Sequence, residues 1–238
     1  MGSPVKIIYR GAKFAVVLKP AGVAVQPGKG IQKTILDLVE EKLGYRPLLV
    51  HRLDRDTEGL LVLARDREAA SEFSRILKSD QVQKSYLAVC SGAFGRPEGA
   101  IDSDVEVKGV KKSAHTSYRV LRKLGKFSLL EISLGTGRMH QIRLHMSQSG
   151  RPIVGDDQHG DFALNRSLKQ THAVKNLMLC AWRLRFPEER RTVTVTAEIP
   201  AHFSAFLSIY NATDAIPGSG HASVRFSSDA GPVRNRVS

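Results

Sequence analysis

The sequence predicts an α+β fold in which most strands are antiparallel. Short runs rich in β-branched and aromatic residues recur along the chain, and turn sequences such as LGKF separate them. Two segments with helical spacing of apolar residues lie among these runs. The sequence contains no internal repeat, and no linker divides residues 5–211, so we expect one domain there.

The first part of the chain predicts strands followed by two helices. Residues 5–25 read as short strands around a turn at the sequence PAG. TILDLVEEKLG has apolar residues at helical spacing, Thr34 as a cap and Gly44 as a stop signal. The run LLVLA predicts a buried strand, and residues 68–79 predict a second helix.

The second part of the chain predicts most of the remaining strands. These are KSYLAVCSG, SYRVLRKL and FSLLEISL, followed by an antiparallel pair, LMLCAWRLRFP and RTVTVTAEIP. RMHQIRLHMSQSG predicts a helix ending at Gly150, RPIVGDDQHGD a polar loop, and HFSAFLSIYN a closing helix. Residues 212–238 are poor in large apolar side chains, so we expect a disordered tail.

Charge and cysteine content indicate the kind of partner and compartment. The net charge is +13 and the pI about 10.0, which favours a polyanionic partner such as nucleic acid. No apolar run is long enough to span a membrane, so we expect no membrane partner. Cys90 and Cys180 lie in apolar runs, as buried thiols do in a reducing compartment. We expect a cytoplasmic monomer.

A dense group of charges stands directly before the apolar run, in HRLDRDTEGLLVLA. Asp54 lies between Arg52 and Arg55, whose positive charges favour its ionised form. An ionised carboxylate in this position is suited to act as a nucleophile or base. The alternative is a solvated turn in which the aspartate caps a backbone amide.

The stretch HRLDRDTEGLLVLA resembles the signature of the RluA family of pseudouridine synthases. Four further segments resemble motifs of that family in the same order: KPAGVAVQPGKG, QKSYLAV, LGTGRMHQIRLHMSQSGRPIVGD and LMLCAWRLRFP. Together they cover about residues 7–200, and five matches in order are far more specific than one. The resemblance implies a single pseudouridine-synthase-type domain whose mixed, mostly antiparallel sheet is flanked by helices and loops around a basic cleft.

The resemblance also implies roles for individual residues. Asp54 corresponds to the catalytic aspartate, Tyr86 to the tyrosine that stacks on the target uracil, and Arg143 to the arginine that pairs with the aspartate. Arg52 corresponds to the arginine that fills the space left by the extruded nucleotide.

Two positions depart from the family pattern. Glu58 stands where serine is usual, and Gln26 where histidine is usual. We expect Glu58 to add a negative charge beside the site and to alter contacts with RNA.

The implied reaction converts uridine to pseudouridine by breaking the glycosidic bond, turning the base and reattaching it through ring carbon 5. Nothing is oxidised or reduced, so we expect no cofactor. Asp54 attacks the anomeric carbon, attacks the base, or removes a ribose proton, and the sequence does not choose among these. A stacked uridine must first be extruded at a cost of a few kcal/mol. Stacking on Tyr86 would offset this by about 1–3 kcal/mol.

We predict that the RNA contacts come from basic and polar side chains near these motifs. They are Arg52, Arg55, Lys84, Arg138, His140, Gln141, Lys108, Lys111 and Lys112. VGDDQHGD is similar to sequences of the RluC/RluD-like branch that is directed to large-subunit rRNA. We therefore expect 23S-type rRNA as the substrate, with tRNA as the alternative. Because the KPAG segment begins at Lys19, we also expect the chain to lack the N-terminal RNA-binding domain of many such relatives.

Other functional classes fit the sequence less well. His140 and His145 are five residues apart, which turns the second ring about 140° from the first on a helix and disfavours a shared metal. No phosphate-binding or nucleophile-elbow motif is present. A non-catalytic RNA-binding or ribosome-assembly protein with the same fold remains as the alternative. The joint presence of Asp54, Tyr86 and Arg143 counts against it.

Overall fold

The computed structural model describes residues 5–28, 30–79, 81–107, 109–216 and 221–227. The strands are β1 (Lys6–Arg10), β2 (Phe14–Lys19), β3 (Leu48–Leu49), β4 (Glu58–Ala64), β5 (Gln83–Ser91), β6 (Glu98–Val107), β7 (Val110–Leu124), β8 (Phe127–Leu134), β9 (Leu179–Glu188), β10 (Arg191–Thr196) and β11 (Ser223–Ser227). The helices are α1 (Ile35–Leu43), α2 (Arg67–Lys78), α3 (Gln141–Gln148), α4 (Phe162–Thr171) and α5 (Ala201–Ile209), with a 3₁₀ turn at Thr213–Ala215.

One mixed sheet runs through the molecule in the order β1, β2, β4, β9, β5, β8, β7, β6. Strand β3 lies beside β4, and β10 and β11 continue outward from β9. Among the described strands only β4 and β9 pair in parallel, which confirms the α+β, mostly antiparallel expectation.

The parallel contact between β4 and β9 depends on a glycine. Gly59 lies opposite Ala181, and a Cβ added to Gly59 would come within 2.2 Å of the Ala181 carbonyl oxygen. The φ of Gly59 is 129°, a value that side chains other than glycine rarely tolerate. The two halves of the sheet therefore meet at the point where the loop 50–57 enters β4.

The run LLVLA in β4 is apolar at every position because both faces of the sheet are covered. Leu61 and Leu63 pack in a cluster with residues of α1, α3 and α5. Leu60 and Val62 point the other way and pack in a second cluster with residues of α2 and β10. Since successive side chains of a strand alternate between faces, burial on both sides requires a continuous apolar run.

The helices α1 and α2 lie where the sequence predicts them. Before α1, the Asp37 carboxylate accepts hydrogen bonds of 2.7 Å from both the N–H and the hydroxyl of Thr34. Gly44 ends the helix in the left-handed conformation, with φ 80°. Asp66 starts α2 by accepting from the Ala69 N–H at 2.9 Å. No helix in the described ranges is long and apolar enough to cross a bilayer.

Several elements are not predicted by the sequence, among them β3, β6 and α4, and the first turn differs from the predicted one. The apolar face of strand β6 is weak, because Ser103 interrupts Ile101, Val105 and Val107, and only Val105 in this strand is fully buried. Helix α4 buries only Leu168 fully and therefore carries a weak apolar pattern. The first hairpin turns at residues 11–13 and not at PAG, which instead follows β2.

The structure describes two ordered segments within residues 212–238, where the sequence predicts a disordered tail: the 3₁₀ turn at Thr213–Ala215 and strand β11. Strand β11 pairs with the edge of β10 along its whole length. Backbone hydrogen bonding to that edge orders it although it is poor in apolar residues, and the Arg191 guanidinium lies 4.2 Å from the centroid of the Phe226 ring. The tail residues 217–220 and 228–238 lie outside the described residues.

Candidate active site

A buried lysine, Lys19, holds the backbone of the loop 50–57 in place. Lys19 has no exposed surface, and its ammonium donates to the carbonyl oxygens of Pro20, Val23 and Arg55 at 2.9, 2.9 and 2.8 Å. The Gly22 N–H also donates to the Arg55 carbonyl oxygen, at 2.9 Å. Burial lowers the pKa of Lys19 to about 8. These bonds fix the backbone immediately after Asp54.

A histidine ties the same loop to the strand beyond it. The Val62 N–H of β4 donates to His51 Nε2 at 2.9 Å. Burial, with the positive charge of Lys84 acting in the same direction, lowers the pKa of His51 to about 3. The ring is therefore neutral at ordinary pH and accepts this hydrogen bond at Nε2. Neither this role nor that of Lys19 can be predicted from the sequence, because both depend on backbone partners.

Asp54 faces one guanidinium and one imidazole from the start of α3. Arg143 Nη1 lies 3.6 Å from Asp54 Oδ2, and His140 Nε2 lies 3.9 Å from Asp54 Oδ1. The Arg143 side chain is 1% exposed and that of Asp54 is 23% exposed. The structure thus brings together the aspartate and arginine that the sequence resemblance paired, with the carboxylate open to one side.

Arg143 is held in place by a second carboxylate. Its Nε and Nη2 donate to the two oxygens of Asp156 at 2.8 and 2.7 Å, a bidentate geometry that fixes the plane of the guanidinium. Burial alone would raise the pKa of Asp156. The hydrogen bonds from Arg143 and from the N–H groups of His159 and Gln158 outweigh burial and hold this pKa below its usual value. Asp156 is therefore ionised, and Arg143 Nη1 remains free to face Asp54.

Tyr86 lies in the same cleft as Asp54. It sits on β5, opposite Ile132 of β8 and Ala181 of β9, and is 6% exposed. Burial raises the pKa of its phenol, and the negative charge of Asp54 acts in the same direction. The ring is therefore neutral and rigidly placed, as a stacking surface must be.

The cleft that contains Asp54 has a volume of about 620 Å³ and is lined by many cationic side chains. The lining residues from the predicted RNA-binding set are Arg52, Lys84, Arg138, His140, Gln141 and Lys112. Lys78, which the sequence did not single out, lines the cleft as well. Burial lowers the pKa of Lys84. A basic cleft around the carboxylate is suited to a polyanion.

Strand geometry separates the side chains of Lys111 and Lys112, two lysines of the predicted RNA-binding set. Lys111 and Lys112 are neighbours on β7, so their side chains point to opposite faces of the β6–β7 hairpin. Lys112 lines the cleft, whereas Lys111 lies opposite Glu106 of β6 on the other face. Lys108 lies outside the described residues. Of the two lysines that the structure describes, Lys112 is thus the one beside the site.

Two predicted RNA contacts donate to groups within the protein, Gln141 with its whole amide engaged and Arg55 with one nitrogen engaged. Gln141 is 2% exposed; its amide oxygen accepts from Thr136 and Arg138, and its amide nitrogen donates to His115 and Thr116. It therefore supports the turn before α3. Arg55 donates from Nε to the Gly22 carbonyl oxygen at 3.1 Å and does not line the cleft.

Glu58 does not line the cleft either. Burial raises the pKa of Glu58, while the positive charge of Lys19 acts in the opposite direction. The charge of Glu58 acts on Lys19, the buried lysine that holds the loop 50–57. The position of Glu58 therefore does not support the expectation that it alters contacts with RNA.

Comparisons with known proteins agree with this arrangement. The model of the RNA pseudouridylate synthase family matches residues 13–148. Ribosomal large subunit pseudouridine synthase D of Borreliella burgdorferi is 31% identical over 89% of this chain and 70% of its own. Ribosomal large subunit pseudouridine synthase C of Haemophilus ducreyi is 31% identical over 85% of this chain and 68% of its own. The solved structure of human RNA pseudouridylate synthase domain containing 1 is similar with a TM-score of 0.68 and 26% identity, over 82% of this chain and 84% of that one.

Proposed function

Because the chain belongs to the family of RNA pseudouridylate synthases, we propose that it isomerises uridines of large-subunit ribosomal RNA and that Asp54 is its catalytic residue. The observation that carries this proposal is the meeting of Asp54, Arg143 and Tyr86 in one basic cleft. The choice of RNA is supported by relatives that are named ribosomal large subunit synthases and match most of this chain.

The cleft is suited to hold an extruded nucleotide. Its volume of about 620 Å³ falls within the range typical of small-molecule sites. Tyr86 offers a flat surface for the uracil, and stacking on it contributes about 1–3 kcal/mol. Arg52, which is exposed at the cleft, is placed to enter the gap that the nucleotide leaves in the RNA. Phosphates on either side then meet Lys84, Lys112 and Arg138.

Asp54 acts on the bound uridine as an ionised carboxylate. Its three routes, attack on the anomeric carbon, attack on the base, or removal of a ribose proton, all require the charged form. In each route the N1–C1′ bond breaks, the C5–C1′ bond forms, the C5 proton leaves, and N1 gains a proton. Arg143, oriented by Asp156, stabilises the carboxylate and holds its plane during these steps.

The test is release of tritium from RNA labelled at uracil carbon 5. The purified protein is incubated with labelled large-subunit rRNA and, separately, with labelled tRNA. We expect release from rRNA by the wild type and none by Asp54→Asn or Asp54→Ala. Release from tRNA alone would overturn the choice of substrate. Binding without release from either RNA would favour the non-catalytic alternative, and mapping pseudouridines in cells with and without the gene would identify the positions.

We propose further that the enzyme works as a monomer in the cytoplasm. Cys90 and Cys180 are free, and both are buried, which suits a compartment that keeps thiols reduced. Burial raises the pKa of both thiols, so they are unreactive. Light scattering after gel filtration tests the oligomeric state, and fractionation of cells tests the location.

A further inference from the structure

Two histidines form a hydrogen-bonded pair beside Asp54 that the reaction described above does not use. His140 Nδ1 and His159 Nε2 are 2.9 Å apart, and the two rings meet edge to face with centroids 5.2 Å apart. The other ring nitrogen of His140, Nε2, faces Asp54 Oδ1 at 3.9 Å. The three side chains thus form a row that ends at the reacting carboxylate.

Both rings are fixed by the backbone that carries them. His140 precedes α3 in the left-handed conformation, with φ 53°, which is uncommon for a residue other than glycine. His159 lies in a tight turn in which its own N–H donates to Asp156 Oδ1 at 2.9 Å. A Cβ on the next residue, Gly160, would lie 2.2 Å from the Asp156 carbonyl oxygen, so this turn has little freedom. The contact between the rings is built into the site.

His159 is held neutral. Burial lowers its pKa, and the charge of Arg143 adds to this effect, while the Asp156 and Asp54 carboxylates oppose it. A neutral imidazole carries one proton, on one of its two nitrogens. One proton therefore lies between His140 Nδ1 and His159 Nε2, and its donor must be decided by the groups at the ends of the row.

Asp54 decides which nitrogen carries that proton. If a neutral His140 ring donated from Nδ1, its Nε2 would present a lone pair to the carboxylate, and the two would repel. If His159 Nε2 is the donor, His140 carries its proton on Nε2 and presents an N–H to Asp54 Oδ1. The second arrangement places one donor opposite each carboxylate oxygen, since Arg143 Nη1 already faces Oδ2. His140 and Arg143 are three residues apart at the start of α3 and so share one face.

We propose that His140 is a positioning residue for Asp54 and that His159 sets the tautomer in which His140 can act. The inference rests on the proposed role of Asp54 as the reacting group. At 3.9 Å the contact is longer than a hydrogen bond, and such contacts tighten when substrate closes the site. Together the two donors hold the carboxylate in one rotamer during the reaction.

The first test measures the tautomers in the free protein. Long-range ¹⁵N–¹H NMR of the histidine rings distinguishes Nε2–H from Nδ1–H forms. We expect His140 to be an Nε2–H tautomer at about pH 8 in the wild type and a mixture of both tautomers in His159→Phe. A His140 ring that is Nδ1–H in the wild type, or unchanged in the variant, would overturn the proposal. This measurement needs no RNA, so it decides the matter even if large-subunit rRNA proves to be the wrong substrate.

The second test measures single-turnover tritium release at saturating RNA. We expect His159→Phe to slow the reaction about tenfold while the Kd for RNA changes less than about twofold. His159→Tyr keeps a hydroxyl that can donate to His140 Nδ1, so it should recover most of the rate. His172→Phe, a change at an exposed histidine outside the cleft, is the matched control and should match the wild type. Equal impairment by Phe and Tyr at position 159 would point to packing and refute the proposal.

Discussion

Replacement of Lys19 by methionine isolates the contribution of the lysine beneath the active-site loop. The wild-type ammonium donates to three backbone carbonyls, one of which belongs to Arg55, directly after Asp54. Methionine fills a similar volume but donates to none of them. The change therefore leaves three carbonyl oxygens without this donor and loosens the backbone next to Asp54.

The expected loss follows from the bonds removed and the apolar surface gained. A hydrogen bond from a charged donor contributes about 1.5–3 kcal/mol. Burial of a methionine returns about 2 kcal/mol, and the cost of desolvating the ammonium disappears. We expect Lys19→Met to lower the free energy of unfolding by about 3 kcal/mol at neutral pH, measured by urea denaturation. Lys33→Met, at an exposed position, is the control and should change it by less than about 0.5 kcal/mol.

The pH dependence of this difference has a definite sign. Burial lowers the pKa of Lys19 to about 8 in the folded protein, from an ordinary value of 10.5 that the unfolded chain keeps. Below about pH 8 both states hold the proton, and Lys19 adds no pH dependence. Between about pH 8 and pH 10 the unfolded chain binds more protons, so Lys19 makes the wild type more stable as pH rises.

Lys19→Met lacks this contribution, so its difference from the wild type should widen over that window by up to about 3 kcal/mol. A loss below about 1 kcal/mol at neutral pH, or a difference that narrows as pH rises, would refute the reasoning.

Three further outcomes follow from the site. Asp156→Asn removes the bidentate carboxylate partner of the buried Arg143, so we expect a stability loss of about 3 kcal/mol in urea and at least about a hundredfold slower tritium release; a wild-type rate would contradict this. Tyr86→Phe should keep RNA affinity, whereas Tyr86→Ala should weaken binding of a minimal RNA by about 1–3 kcal/mol in filter assays. Lys112→Ala should reduce the slope of log affinity against log salt by about one, and Lys111→Ala should leave it unchanged; equal effects would show that both contact phosphate.

An element could be predicted from the sequence where the residues that specify it, such as caps and apolar positions, lie within the element itself. Helices α1 and α2 carry their own caps and an apolar stripe, and β4 carries a run that only burial on both faces explains. Asp54 and Arg143 were paired because their motifs resemble those of a known family, and the structure places them 3.6 Å apart. Strand β6 and helix α4 were missed because neither has an apolar pattern strong enough to stand out.

The residues that support the site could not be predicted from the sequence, for a different reason. The role of Lys19 depends on carbonyl oxygens, which every residue has and which no sequence pattern marks. Gln141 looked like an RNA contact because it is polar and follows a basic motif. Its burial arises from contacts with the turn at Thr136, five residues before it, and with Thr116 of strand β7, 25 residues before it. Tertiary contacts of this kind decide whether a polar side chain binds a ligand or braces the fold.

The two faces of the β6–β7 hairpin differ in charge. Asp102, Asp104 and Glu106 stand on one face of β6, the last strand in the sheet order, while Lys112 stands on the opposite face, toward the cleft. A row of carboxylates on an outermost strand discourages a second sheet from docking there. The carboxylates repel phosphate, and Lys111 lies among them opposite Glu106, so we expect RNA to approach the face with Lys112 more readily than the face with the carboxylates.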